Sequence, residues 1–133
     1  MRAFVDTSGL FAALVANDDH HKQAHEVLSH LLDNDCRLVT TSAVLLETVA
    51  LLQARAGFAA ARAFQRDFLP RLEVHWMTEA LFETGAKKWL TRGSRRLSLV
   101  DCISFALMEE QELTDAFTFD RHFSDEGFRQ VST

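Results

Sequence analysis

The sequence predicts an α/β sandwich, a parallel sheet with helices over both faces. Short apolar strands alternate along the chain with longer helical segments, which is the pattern of such a sheet. A length of 133 residues suits one domain, spanning 1–133, with a substantial core. No internal repeat, low-complexity tract or Pro/Gly/Ser-rich linker divides it, and the single proline, Pro70, falls near the end of a helical segment.

Ala3 to Asp6 reads as a wholly apolar strand ending at its acid, followed by a helix over Ser8–Ala16 with Thr7 or Ser8 as N-cap. Asn17–His20 is a polar break. The next helix runs from about Asp19, a plausible N-cap, to Leu32, with Ala24, Val27, Leu28, Leu31 and Leu32 on one face. Arg37–Thr40 is a short strand, and Thr41 or Ser42 caps a helix to about Arg55, where Gly57 breaks it. Phe58–Leu69 is amphipathic and helical, Glu73–Met77 a strand, and Glu79–Thr91 a helix that stops at Gly93. Ser98 opens a helix to about Glu112. Ala116–Phe119 is a strand ending at Asp120, and Phe128–Ser132 is a candidate edge strand.

Composition narrows the function. Hydrophobic content of 47% and charged content of 25% fit a soluble globular protein. The net charge of −5 argues against gripping nucleic acid mainly by counterion release. Cys36 and Cys102 stand far apart without Cys-x-x-Cys spacing, so they are expected to be reduced, packed thiols rather than zinc ligands or a disulfide. The opening Met1–Ala16 has some signal-peptide character, but Asp6 interrupts it and Leu10–Ala16 is too short to span a bilayer; a cytoplasmic location is expected. Gly-x-Ser-x-Gly, P-loop and Gly-x-Gly-x-x-Gly motifs are lacking, which removes support for hydrolase triads, nucleotide cradles and dinucleotide sites.

Four acids stand on four apolar segments: Asp6 in AFVDTSGL, Glu47 in SAVLLETVALL, Asp101 in LSLVDCISFAL and Asp120 in AFTFDRHF. An unpaired carboxylate in such surroundings costs several kcal/mol, so something must compensate it. Asp6 and Asp120 follow apolar strands, where open parallel sheets place ligands. Glu47 has apolar one-turn neighbours, Ala43, Val44, Ala50 and Leu51, so it is expected to project from the packed face of its helix. Asp101 also has a local explanation, because Ser98-x-x-Asp101 is a capping-box spacing. Each acid taken singly has an ordinary reading as a turn, a cap or an ion-pair member. One shared site explains all four, and a hard divalent cation, Mg²⁺ or Mn²⁺, is the usual compensator. Carboxylate-held cations suit phosphodiester hydrolysis, in which charge develops on both attacking and leaving oxygens.

Taken in order, these four motifs resemble the PIN-domain nucleases, and specifically the small bacterial VapC-type toxins of toxin–antitoxin pairs, from Phe4 to Phe128. The resemblance implies a three-layer α/β/α fold with a short central parallel sheet and Mg²⁺- or Mn²⁺-dependent endoribonuclease action. It assigns Asp6, Glu47, Asp101 and Asp120 as the acidic set, with Asp6, Asp101 and Asp120 as metal ligands. Thr7 or Ser8 and Thr118 would orient carboxylates or water. It also implies a cognate antitoxin whose tail covers the acidic pocket, and a homodimer, with no membrane partner.

Arg92, Arg95 and Arg96 lie upstream of Asp101 and Arg121 follows Asp120; these are candidate RNA-phosphate contacts, with a solvated loop as the alternative. His122 has the same two readings. His21 and His25, one helical turn apart, lack a third ligand for a zinc site. Phe58, Phe64 and Phe68 are mostly core, with a groove for a partner's helix as the further option. Two rival functions remain: a catalytically silent module binding a basic peptide, and a phosphatase of haloacid-dehalogenase type. The latter needs an acid two residues after Asp6, where Ser8 stands.

Overall fold

Strands β1 (Arg2–Val5), β2 (Arg37–Thr41), β3 (Leu72–His75), β4 (Asp115–Phe117) and β5 (Arg129–Gln130) form one all-parallel sheet in the order β3-β2-β1-β4-β5. This computed structural model describes residues 1–132. Successive residues of a strand point to opposite faces, so consecutive burial requires cover on both sides. Ala3, Phe4 and Val5 are fully buried, as are Leu38, Val39, Thr40 and Thr41. The central strands are therefore enclosed, as their apolar sequences predict, while β3 is half-buried and β5 exposed.

The covering helices are α1 (Thr7–Leu14), α2 (His21–Asp33), α3 (Ser42–Ala56), α4 (Phe58–Ala63), α5 (Glu79–Arg92), α6 (Leu99–Glu110) and the single turn α7 (His122–Asp125). Helix α1 packs against α2 and α3, α3 against α4, and α5 against α6. The α5–α6 contact is close because position 85 is glycine: a Cβ there would stand 2.5 Å from Cγ1 and 2.8 Å from Cα of Ile103. Helix α3 is capped by Thr41, whose hydroxyl accepts the Val44 N–H, and α5 by Thr78, whose hydroxyl accepts that of Leu81. Both cysteines are buried and free.

Several boundaries differ from those the sequence predicts. Helix α1 begins after Asp6, which is its N-cap residue but makes no side-chain capping bond, so neither Thr7 nor Ser8 is the cap. Helix α2 starts at His21, because the Asp18 carboxylate accepts the His20 N–H and holds the preceding residues in a turn. The single helix expected over Phe58–Leu69 ends as α4 at Ala63, widens into a π turn over Phe64–Phe68, and closes in a 3₁₀ turn over Leu69–Arg71. Pro70 has no N–H to return to residue 66, so a regular α-helix cannot run through it. Strand β4 stops at Phe117 and β5 has two residues, an edge strand shorter than expected.

The order of strands fixes where a site can form. From β1 the chain passes outward through β2 and β3, then returns to β1's other side as β4. A crevice opens at such a switch, beyond the carboxyl ends of β1 and β4. Asp6 follows β1 and Asp120 follows β4.

Candidate active site

Asp6 is 4% exposed, and its surroundings are built to hold it. Its N–H donates to Phe117 O (3.1 Å), joining the ends of β1 and β4. Its Oδ2 accepts the hydroxyls of Ser8 (2.8 Å) and Thr118 (3.1 Å). Those hydroxyls in turn accept the backbone N–H groups of Phe119 and Asp120, both at 2.9 Å. The first turn of α1 and the segment after β4 thus share one polar network around a carboxylate. Gly9 makes this approach possible: a Cβ on it would fall 2.5 Å from Phe117 O, well inside contact distance.

Asp101 sits in the first turn of α6 and closes the capping box: its N–H donates to Ser98 Oγ (3.0 Å) and its Oδ2 accepts the Ser98 N–H (3.3 Å). The local and the site readings of Asp101 therefore coexist. Asp120 makes a turn in which Oδ1 accepts the His122 N–H at 2.9 Å, and α7 begins there. This turn brings the His122 ring back over the acids. Its Nδ1 lies 2.9 Å from Asp120 Oδ1 and 3.8 Å from Asp101 Oδ2.

Electrostatics marks the cluster as uncompensated. Burial pushes the Asp6 carboxyl up to about 6; the Ser8 and Thr118 hydrogen bonds oppose this, and the charges of Asp101 and Asp120 add to it. Burial, then the neighbouring Asp120, also holds Asp101 above the usual carboxylate range. No arginine or lysine pairs with Asp6, Asp101 or Asp120 among the described residues.

The donor set fits a divalent cation. One ligand atom each from Asp101, Asp120 and His122 lie within 4.8 Å of one another, the one such group among the described residues. His122 Nδ1 is buried yet lies off any hydrogen-bonding direction, a polar atom without a partner. Its 2.9 Å approach to Asp120 is thus proximity, not an aligned hydrogen bond.

Among the described residues no hydrogen bond or ion pair joins the remaining candidates to the Asp6, Asp101 and Asp120 carboxylates. Glu47 is exposed, which corrects the expectation that it projects from the packed face. Helix α3 is apolar nearly all round, and the face it buries carries Val44, Leu45, Thr48 and Leu52, leaving Leu46 and Glu47 outside. The Thr7 hydroxyl makes no hydrogen bond to the Asp6 carboxylate; it accepts that of Thr48 (3.2 Å) and ties α1 to α3. Arg92 pairs with Glu126 (2.7 Å) and is not free for phosphate, because α7 brings that acid beside it. Arg95, Arg96 and Arg121 are exposed. His21 Nδ1 lies 2.8 Å from Ala12 O, a structural contact, while the exposed His20 ring stacks on Phe119 (4.5 Å) next to Asp120. Phe64 and Phe68 are core and Phe58 is exposed. Two apolar grooves of about 350 and 370 Å³ lie along α4, and neither is lined by the acids.

The profile of the PIN domain matches residues 3–128. The chain belongs to the PIN-domain family. It is similar to the 23S rRNA-specific endonuclease VapC20 of Mycobacterium tuberculosis, with 35% identity over 129 residues that cover 96% of each chain. The crystal structure of that sarcin-ricin loop cleaving toxin superimposes with a TM-score of 0.84 at 34% identity, covering 98% of this chain and 99% of the other. VapBC2 of Rickettsia felis, solved with a promoter DNA fragment, superimposes with a TM-score of 0.71 at 15% identity, covering 98% of each chain, a likeness that bears on the fold.

His122 is the residue whose position the sequence leaves open. The available signal is Asp-x-His directly after an apolar strand, a spacing at which an Asp-initiated turn folds the histidine back onto the acid.

Proposed function

We propose that this chain is a single-domain, metal-dependent endoribonuclease toxin that hydrolyses RNA phosphodiester bonds and is neutralised by a cognate antitoxin. The observation that carries the reading is a group of carboxylates at the β1/β4 switch, Asp6 and Asp101 buried and Asp120 half-buried, that no arginine or lysine pairs with among the described residues, with Asp6 pushed up to about 6. The likeness to a 23S rRNA-specific endonuclease over nearly the whole chain supports RNA as substrate.

Asp6, Asp101 and Asp120 would hold Mg²⁺ or Mn²⁺, which supplies positive charge against the developing charge on the phosphoryl oxygens. Ser8 and Thr118 fix Asp6 Oδ2, and no hydrogen bond among the described residues takes up Oδ1. The exposed Glu47 would orient or deprotonate the attacking water from the open side. Arg95, Arg96 and Arg121, exposed near Asp101 and Asp120 in sequence, would receive flanking phosphates.

An antitoxin is supported by charge and by shape. An uncompensated acidic pocket attracts a basic tail, and the groove by α4, lined in part by Val49, Phe58, Ala61 and Arg62, suits an apolar helix. Exposed Trp76, Phe82, Trp89 and Leu90 on and before α5 support a homodimer.

The test is incubation of antitoxin-free protein with total RNA and with intact ribosomes, with Mg²⁺ or Mn²⁺, beside chelator and Asp6→Asn controls. Discrete cuts requiring both metal and Asp6 are expected, with 23S rRNA as the first fragment to map. Folded protein that binds metal and leaves every RNA intact would instead favour an interaction module.

A further inference from the structure

We propose that His122 is a direct nitrogen ligand of the cation in the acidic pocket and that it tilts the site toward Mn²⁺ over Mg²⁺. The inference rests on the reading of that pocket as a metal site and concerns which atoms complete it.

The four-acid pattern describes an all-oxygen site, and oxygen is what Mg²⁺ prefers. The geometry adds a nitrogen. The Asp120 turn, locked by the His122 N–H on Asp120 Oδ1, sets the ring so that Nδ1 stands 2.9 Å from that same oxygen and 3.8 Å from Asp101 Oδ2. Ligands about 2.1 Å from a six-coordinate ion stand about 3 Å apart at adjacent vertices, so a 2.9 Å separation is that of two neighbours sharing one ion. The rival explanation is an imidazolium–carboxylate ion pair. A pair of that kind aims its N–H at the oxygen, whereas Nδ1 here is buried and aligned with no acceptor. Two donors close together with no proton directed between them are arranged for a cation rather than for each other.

The chemical consequence is selectivity. Mn²⁺ shares the preference of Mg²⁺ for oxygen but, as a first-row transition ion, accepts an imidazole nitrogen more readily, whereas Mg²⁺ holds oxygen ligands and water and gains little from a nitrogen. Nδ1 would bind as the neutral ring, its proton on Nε2. His122 then ranks with Asp101 and Asp120 as a ligand, and is more than a residue that orients Asp120.

The experiment is Mn²⁺ and Mg²⁺ titration of the metal-free full chain by calorimetry, with pulsed EPR of the Mn²⁺ form for nitrogen coupling. It is run on wild type, wild type labelled with ¹⁵N-histidine, His122→Ala, His122→Gln and Asp101→Asn. Wild type should show a histidine-nitrogen coupling that changes isotope on labelling and vanishes in both His122 variants. Their Mn²⁺ Kd should rise at least about tenfold, the scale of losing a group that supports a metal site, while that for Mg²⁺ changes less than about threefold. Bound Mn²⁺ without histidine coupling would overturn the assignment even if affinity falls, since a merely positioning residue gives that result. Mn²⁺ that does not bind, or binds regardless of Asp101, would remove the metal site and this ligand with it. The labelled wild type decides the matter if a variant fails to fold.

Discussion

Strand β4 begins at one acid, Asp115, and is followed by another, Asp120, and the two have opposite surroundings. Asp115, which begins the strand, is clasped by Arg129 through two bonds of 2.8 and 2.7 Å. Asp120, just beyond its carboxyl end, faces Asp101 and a histidine. The same division holds across the molecule. A hydrogen bond from His75, then Arg2 and Arg37, keeps Glu73 below the usual carboxylate range. Burial works against ionisation of Glu126, but Arg92 and Lys88 outweigh it and hold this carboxyl low as well. At the β1/β4 switch the direction reverses, and Asp6 and Asp101 are raised. Asp115, Glu73 and Glu126 are thus each paired with arginine or lysine, whereas Asp6, Asp101 and Asp120 pair with neither among the described residues.

The largest test of that contrast is Asp6→Asn, which should lower metal-dependent RNA cleavage by at least about 100-fold in a gel assay. The same substitution should stabilise the metal-free protein. A folded pKa of about 6 lies above the unfolded value of 3.8, so the native state binds more protons between them. Wild-type stability is therefore lost as pH rises through that window. Asn is neutral throughout, so in chelator the two proteins should be nearly equal at about pH 4. Above about pH 7 the variant should lead by an amount on the order of 3 kcal/mol. Urea melts across the range would refute the contrast if the gap were flat or reversed.

At the opposite pole, Glu126→Gln strips a charge from Lys88 and Arg92 and should cost about 1–2 kcal/mol in the same melts. An increase in stability there would mean that its salt bridges are idle. The smallest effect belongs to Glu47→Gln. Being exposed, Glu47 should leave stability within about 0.5 kcal/mol of wild type, while cleavage falls if it handles the water. A stability loss beyond 1 kcal/mol, as a rough threshold, would return Glu47 to a structural role.

The strands and three of the acids are legible in the sequence for one physical reason: a run buried on both faces is mostly apolar, so an acid that follows it is conspicuous. Asp6 and Asp120 are visible in this way, and Asp101 through its spacing from Ser98. Helix α3 defeats the same logic. With Leu46 at 70% exposure and Thr48 fully buried, hydrophobicity does not say which face packs. The π turn at Phe64–Phe68 is hidden because residues four apart keep the same face in either helix, and the two rings stack at 5.8 Å regardless. His122 is hidden because its place depends on a turn, and a turn is a matter of hydrogen bonds rather than of pattern.

Gly9 shows how an active centre can be specified by an atom that is missing. Any side chain there meets the carbonyl of Phe117 at 2.5 Å and must push α1 away from β4. Ser8 rides on that helix, and with it goes one of the two hydroxyls that steady Asp6. A saturating mutational scan for toxicity should thus find position 9 among the least permissive in the chain, although it offers no side chain to the site.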